Sequence, residues 1–233
     1  VVVSDSPTNL RGHAAAEERI THRGRIVFDE PLQEMRRSSP YFIPSTELIQ
    51  SFAALVEQGV NVQVLTNAYA TNDVTLVHSG YAKHRKELLR AGVRLFELRP
   101  TALPMPLVDE PEDNDLPFSS VSASSLHAKT FIIDRHRVFV GSFNFDPRSA
   151  NLNTELGLVV ESETLGQQMA QTFLNNTPYH AYEVVLNDKD KLEWHERNEQ
   201  GELIGVHRIE PETSWFQRLL IGFFSLLPID PLL

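Results

Sequence analysis

Apolar residues recur along this chain with two different periods. Val60, Val62 and Val64 alternate, as one face of a strand does, whereas Leu48, Phe52, Leu55 and Val56 fall three and four apart, as one face of a helix does. The pattern predicts a short strand at Tyr41–Ile43 closed by Pro44, then a helix over about Glu47–Gln58, capped by Ser45 or Thr46 and ended by Gly59. It continues with a strand from Val60 to Thr66, a helix over about Gly80–Ala91 ended by Gly92, and a strand beginning at Val93, Leu95 and Phe96. Strand–helix–strand–helix–strand implies an α/β layer with parallel pairing and helical crossovers. Farther along, Phe131–Ile133, Val138–Val140 and Leu156–Val160 are strand-like, and about Leu165–Phe173 is helical. Tyr182–Leu186 and Leu203–Arg208 read as a hairpin or small antiparallel piece. At the end, Phe216, Leu219, Leu220, Phe223, Phe224 and Leu227 form one wide helical face, with Trp215 and Arg218 at its start.

These elements divide the chain into a lead-in, irregular or partly helical, over 1–40, a catalytic unit over 41–180, and a β-hairpin with a C-terminal amphipathic helix over 181–233. Between 100 and 125 the pattern breaks into prolines, an acidic run from Asp109 to Asp115 and a serine-rich stretch. That loop reads equally as a solvated insert or as a lid. The chain has 233 residues, 41% apolar and 22% charged, a globular composition with room for one or two domains. Its formal net charge of −10 gives no support for a general nucleic-acid-binding face, so no nucleic-acid partner is expected. No cysteine is present, which excludes disulfides and thiolate metal sites, and no histidine pair has metal-ligand spacing. No metal or other cofactor is expected. No apolar run reaches the ~18 residues of a membrane span. The Trp215–Leu227 helix suits either an in-plane position at a membrane surface or packing on another part of a longer protein.

The informative stretch is His127-x-Lys129-x4-Asp134-x6-Gly141-Ser142-x-Asn144. In extended chain His127 and Lys129 project from the same face, as do Ser142 and Asn144. The strands on either side of Asp134–Arg137 are close enough in sequence to form a hairpin, which brings Lys129 and Ser142 together at its open end. An imidazole, an ammonium, a hydroxyl and a carboxamide then converge. That set suits phosphoester chemistry. Lys129 neutralises a phosphoryl anion, and Ser142 and Asn144 donate to its non-bridging oxygens. The imidazole attacks phosphorus or protonates the leaving alkoxide.

The pattern resembles the HKD motif of the phospholipase D superfamily. Ser39–Pro44, Leu65–Asn67, His78–Tyr81, Asp146–Ser149, Asn153–Glu155 and Leu226–Asp230 also resemble stretches of bacterial cardiolipin synthases of the class C type, so the likeness covers nearly the whole chain. The resemblance implies a phospholipase D-like mixed β-sheet flanked by helices on both faces. It implies phosphatidyl transfer between phospholipids through a phosphohistidine, at the periphery of the bacterial cytoplasmic membrane. It assigns Asp134 a supporting role, gives Glu155 the task of holding the catalytic imidazole, and puts His78 near the lipid phosphate or glycerol. Family members build one site from two motifs, and this sequence has one. The expected counterpart is therefore a second HKD half, upstream in the same polypeptide or in a homodimer partner, and the chain corresponds to the C-terminal half of a pseudo-symmetric enzyme. The same catalytic set serves a phospholipase D or a phosphodiesterase-type nuclease, or survives as a phosphate-binding site in a non-catalytic half-domain.

Overall fold

A computed structural model describes residues 1–5, 33–72, 74–100, 126–144, 146–151 and 153–227. Most of the predicted loop, and the lead-in between residues 6 and 32, lie outside the described residues.

The described strands form a single ten-stranded sheet: β1 (Val2–Ser4), β2 (Glu34–Ser38), β3 (Asn61–Asn67), β4 (Arg94–Leu98), β5 (Thr130–Ile133), β6 (Arg137–Gly141), β7 (Leu156–Glu161), β8 (Ala181–Leu186), β9 (Leu192–Arg197) and β10 (Leu203–His207). Their order across the sheet is β1-β7-β6-β5-β2-β3-β4-β8-β9-β10. β2, β3 and β4 are parallel to one another, and the remaining pairs are antiparallel, which makes the sheet mixed.

The parallel centre needs crossovers, and two of the predicted helical stretches supply them. α1 (Thr46–Glu57) links β2 to β3, and α2 (Thr75–Ala82) with α3 (Arg85–Arg90) links β3 to β4. Ser45 caps α1 by accepting the Leu48 N–H at 3.3 Å. Gly92 ends α3 at φ +83°, where a Cβ would also come within 2.6 Å of Val56. On one sheet face Phe42, Ile49, Phe52, Tyr81 and Leu88 pack on Val62, Val64 and Leu95. On the other, α5 (Glu163–His180), which follows the short α4 (Pro147–Asn151), packs Phe173 on Phe96 and Leu98 and Met169 on Ile132 and Val138. Neighbours such as Val64 and Leu65 are therefore both buried, on opposite faces. The predicted α/β sheet with helices on both faces is the observed architecture.

Three details differ from the sequence reading. The first strand lies at Glu34–Ser38 rather than Tyr41–Ile43, so 1–40 is not wholly irregular; β1 and β2 both belong to the sheet. β2 reads as polar because it carries Arg36 and Arg37, yet both are buried. Arg36 is neutralised by Glu34 two residues away, and the Arg37 guanidinium lies 4.5 Å from the Phe131 ring centre and 5.0 Å from that of Phe52. The helix expected over Gly80–Ala91 is two helices, broken at Lys83 and His84. The expected late hairpin is a three-stranded meander, because the polar Leu192–Arg197 is also a strand, held by the buried Trp194. Last, α6 (Trp215–Ser225) packs on α2 through Ile221. Among the described residues no helix is long and apolar enough to cross a membrane.

Candidate active site

β5 and β6 form the predicted hairpin, in the register Thr130↔Val140 to Ile133↔Arg137. Its turn takes left-handed φ at both Asp134 (+49°) and Arg135 (+54°), with the His136 N–H on the Ile133 carbonyl at 3.0 Å. α5 braces this turn. A Cβ at Gly166 would come within 2.3 Å of the Arg135 carbonyl oxygen, so the close approach depends on glycine. β7 pairs with β6 on the outer side, with Gly141 opposite Gly157.

The open end of this three-stranded unit gathers His127 and Lys129 before β5, Ser142 and Asn144 after β6, and Glu155 before β7. It is also the end where the parallel strands β2 and β3 terminate, the usual ligand-binding edge of such sheets. The His127 ring is exposed and makes no hydrogen bond among the described residues. Lys129 Nζ lies 3.3 Å from the His127 carbonyl oxygen. Its ammonium is half-buried, which lowers its pKa; the Glu155 and Asp146 carboxylates work against that shift without cancelling it. Asp146 is itself pushed up by burial and by Glu155, although it accepts the Ser149 N–H at 2.6 Å at the start of α4. Asn144 Oδ1 is buried and has no hydrogen-bond partner among the described residues.

Glu155 is placed differently from the expectation. One oxygen accepts the Ser142 hydroxyl and the other the Asn153 amide at 3.1 Å, and no bond to the His127 imidazole is formed. Ser142 Oγ in turn accepts the Leu156 N–H at 3.1 Å. Asp134 stands in the turn of the hairpin, where the sequence reading put it, and away from the gathered groups. It lies at the far end of β5, five residues beyond Lys129, about 17 Å along the strand. There its Oδ1 accepts the N–H groups of Gln33 and Glu34, each at 2.9 Å, and holds the start of β2.

His78 is fully buried, which removes it from substrate contact in this conformation. Its Nε2 lies 2.5 Å from Glu210, and its Nδ1 is buried without a partner among the described residues. Arg85 joins Glu210 (2.6 Å) to Glu97 (2.8 Å), and Glu97 also accepts Tyr81 Oη (3.0 Å) and Trp194 Nε1 (2.9 Å). Burial alone would raise the Glu210 pKa, but Arg85 and His78 hold it well below the usual carboxylate range. The neighbouring basic residues are committed within the molecule too. Lys86 and Arg90 bond to Asp190, and Arg94 to Glu183.

Two anchoring residues were not singled out by sequence pattern. Asn67, at the end of β3, accepts the Leu126 N–H at 2.9 Å and donates to the Leu126 carbonyl at 3.3 Å, fixing the chain one residue before His127. Asp5, beside the end of β1, holds the main chain of Glu155. Asn67 sits in a stretch that the family resemblance had marked; nothing in the local pattern pointed to Asp5. Among the described residues no three His, Cys, Asp or Glu side chains are grouped to hold a metal ion.

The family model described as cardiolipin synthase, phospholipase D-like domain matches residues 28–176. Cardiolipin synthase C of Escherichia coli (strain K12) is 38% identical over 232 residues, covering 100% of this chain and 48% of that protein. Cardiolipin synthase A of Buchnera aphidicola is 26% identical over 59% of this chain and 23% of its own length. The chain thus spans about half the length of the most similar of these relatives. Among solved structures, phosphatidylserine synthase of Haemophilus influenzae superposes with a TM-score of 0.55 at 15% identity, over 93% of this chain and 45% of that one. The phospholipase D family member Nuc of Salmonella typhimurium superposes with a TM-score of 0.52 at 16% identity, over 79% of this chain and 98% of that one. These superpositions bear on the fold. The family model and the identity to the Escherichia coli protein decide membership: the chain belongs to the phospholipase D-like family of cardiolipin synthases.

Proposed function

We propose that this chain supplies one of two HKD motifs to an enzyme that transfers a phosphatidyl group between phospholipids and forms cardiolipin. The observation that carries the reading is the gathering of His127, Lys129, Ser142 and Glu155 at one end of β5, β6 and β7. In the reaction one motif histidine attacks the phosphorus of the donor lipid, forming a P–N bond as the P–O bond to the alcohol breaks. The other histidine, as imidazolium, protonates that alcohol. An acceptor lipid hydroxyl then attacks the phosphohistidine, giving up its proton to the second imidazole and freeing the first. A single imidazole cannot take both parts at once, so a second half is required. His127 is assigned the general-acid part. Lys129 faces the phosphoryl charge, and Glu155 holds Ser142 and tempers the desolvation of Lys129. Lys129 and imidazolium together cover the developing charge, so a chelator is expected to leave the rate unchanged.

The partners are anionic phospholipids and the membrane surface that holds them. Trp215, Phe216, Leu219, Phe223 and Leu226 form an exposed apolar stripe along α6, with Ile221 turned inward to α2. This stripe is the proposed contact with the lipid interface, at the periphery of the bacterial cytoplasmic membrane. The test compares this chain alone with a polypeptide carrying both motifs, on vesicles containing phosphatidylglycerol. Cardiolipin is expected only from the latter. Release of the headgroup alcohol with phosphatidic acid as the sole lipid product would make the enzyme a hydrolase. Turnover by a proven monomer of this chain would overturn the two-half reading.

A further inference from the structure

Asp5 lies beyond the end of β1, outside the motif and 150 residues from Glu155 in sequence, yet the two are bound twice. Its carboxylate Oδ2 accepts the Glu155 N–H at 2.9 Å, and its own N–H donates to the Glu155 carbonyl at 2.9 Å. These bonds continue the β1–β7 ladder, which pairs Val2, Val3 and Ser4 with Leu158, Gly157 and Leu156. Asp5 is buried at 5% exposure and Glu155 equally so. A third buried carboxylate, next to Glu155, is costly on grounds of charge. A charge-assisted bond to a main-chain N–H offsets part of that cost. The main-chain direction at Glu155 sets where its side chain starts, and that side chain holds Ser142 and Asn153.

We propose that Asp5 is a positioning residue of the phosphoryl site. Gripping Glu155 on both sides of its main chain, it keeps the Glu155 carboxylate on the Ser142 hydroxyl and beside Lys129. The proposal rests on the function assigned above to that site. It makes Asp5 part of the site's scaffold, although it lies far from the motif in sequence.

The test has two arms. In the isolated chain, hydrogen exchange at the Glu155 amide should speed up at least about tenfold in Asp5→Ala, and stay close to wild type in Asp5→Asn, whose side-chain oxygen still accepts. In the polypeptide carrying both motifs, Asp5→Ala should lower kcat about tenfold with KM for phosphatidylglycerol within about twofold, the signature of a misplaced group rather than lost binding. Asp5→Asn should recover most of that loss. Val3→Ala, which removes a buried contact from the same strand, should lower Tm yet leave kcat unchanged. Wild-type kcat in Asp5→Ala, or an equally protected Glu155 amide, would overturn the proposal. So would a kcat loss in Val3→Ala matching that of Asp5→Ala, which would mean that any loosening of β1 suffices. If the wild-type polypeptide makes no cardiolipin, it is the functional reading that fails; the kcat comparison then moves to hydrolysis of bis(p-nitrophenyl) phosphate, and the exchange arm stands unaltered.

Discussion

The molecule holds two clusters built from the same chemical parts, a histidine, a lysine or arginine, and carboxylates. In one, His127 is exposed and unbonded among the described residues, Lys129 is half-buried, and the carboxylates serve Ser142, Asn153 and a helix start. In the other, His78, Arg85 and Glu97 are buried, with Glu210 close to it, and they bond one another and Tyr81 and Trp194. The first leaves the His127 imidazole open to solvent and the Lys129 ammonium half-exposed, as a reacting phosphate needs. The second spends its polar groups on joining α2, α3, β4, β9 and the segment before α6. Residue type alone does not separate chemistry from architecture; the degree to which the polar groups are already satisfied does.

This contrast is broken most sharply by substitution at its two histidines. In the two-motif polypeptide, His127→Ala should lower transfer by at least about a thousandfold with Tm almost unchanged, since an exposed, unbonded ring contributes little to folding. Lys129→Ala should cost about a hundredfold. His78→Asn should do the reverse, leaving KM and kcat of the folded protein near wild type while lowering the urea midpoint. A rise in KM with full stability would return His78 to the substrate site.

Glu97→Ala should destabilise the chain by about 3–5 kcal/mol, because it strips one anionic partner from the buried Arg85 and orphans Tyr81 and Trp194. Equilibrium urea unfolding checks this, and a loss under ~1 kcal/mol would show that the cluster is not a structural keystone. A milder effect concerns pH and activity. The Lys129 ammonium titrates below its ordinary range, so the part of the alkaline limb that its deprotonation causes should begin below that range. Asp146→Asn removes an anion that supports the charged form, and should move that limb to lower pH; a shift upward would contradict the attraction between Asp146 and Lys129.

Acid stability reports on the architectural side. Glu34 is held at about 2: burial pushes its pKa up, but Arg36 and Arg135 outweigh it. Glu210 is likewise depressed. Each folded-state pKa lies below the unfolded one, so each contributes stability that is full above the unfolded carboxylate range and is lost as pH falls through the folded value. Tm measured between pH 5 and pH 2 should fall, and Glu34→Gln should flatten that slope. The smallest effect is expected at Asp134→Asn. This change keeps an acceptor for Gln33 and Glu34 and tolerates φ +49°, so it should cost no more than about 1 kcal/mol and change kcat little. A kcat loss as large as that of Lys129→Ala would place Asp134 back in the chemistry.

Local pattern dictates the alternation of apolar strands and amphipathic helices, the hairpin around Asp134, and the motif spacing that carries His127, Lys129 and Ser142 to one end of it. These are local properties: side-chain period and turn length act within a dozen residues, where pattern and geometry coincide. Tertiary structure decided the rest. Glu34–Ser38 and Leu192–Arg197 are strands because groups distant in sequence receive their side chains, Phe131 under Arg37 and Arg135 on Glu34 in the first and Glu97 on Trp194 in the second, which no local period can announce. His78 resembled a site residue by its neighbours in sequence, yet the fold gave it to a buried ion network. Asp5 met Glu155 only because β1 closes the edge of the sheet beside β7. A hydrogen bond spanning 150 residues depends on the whole topology, and no spacing rule within the chain encodes it.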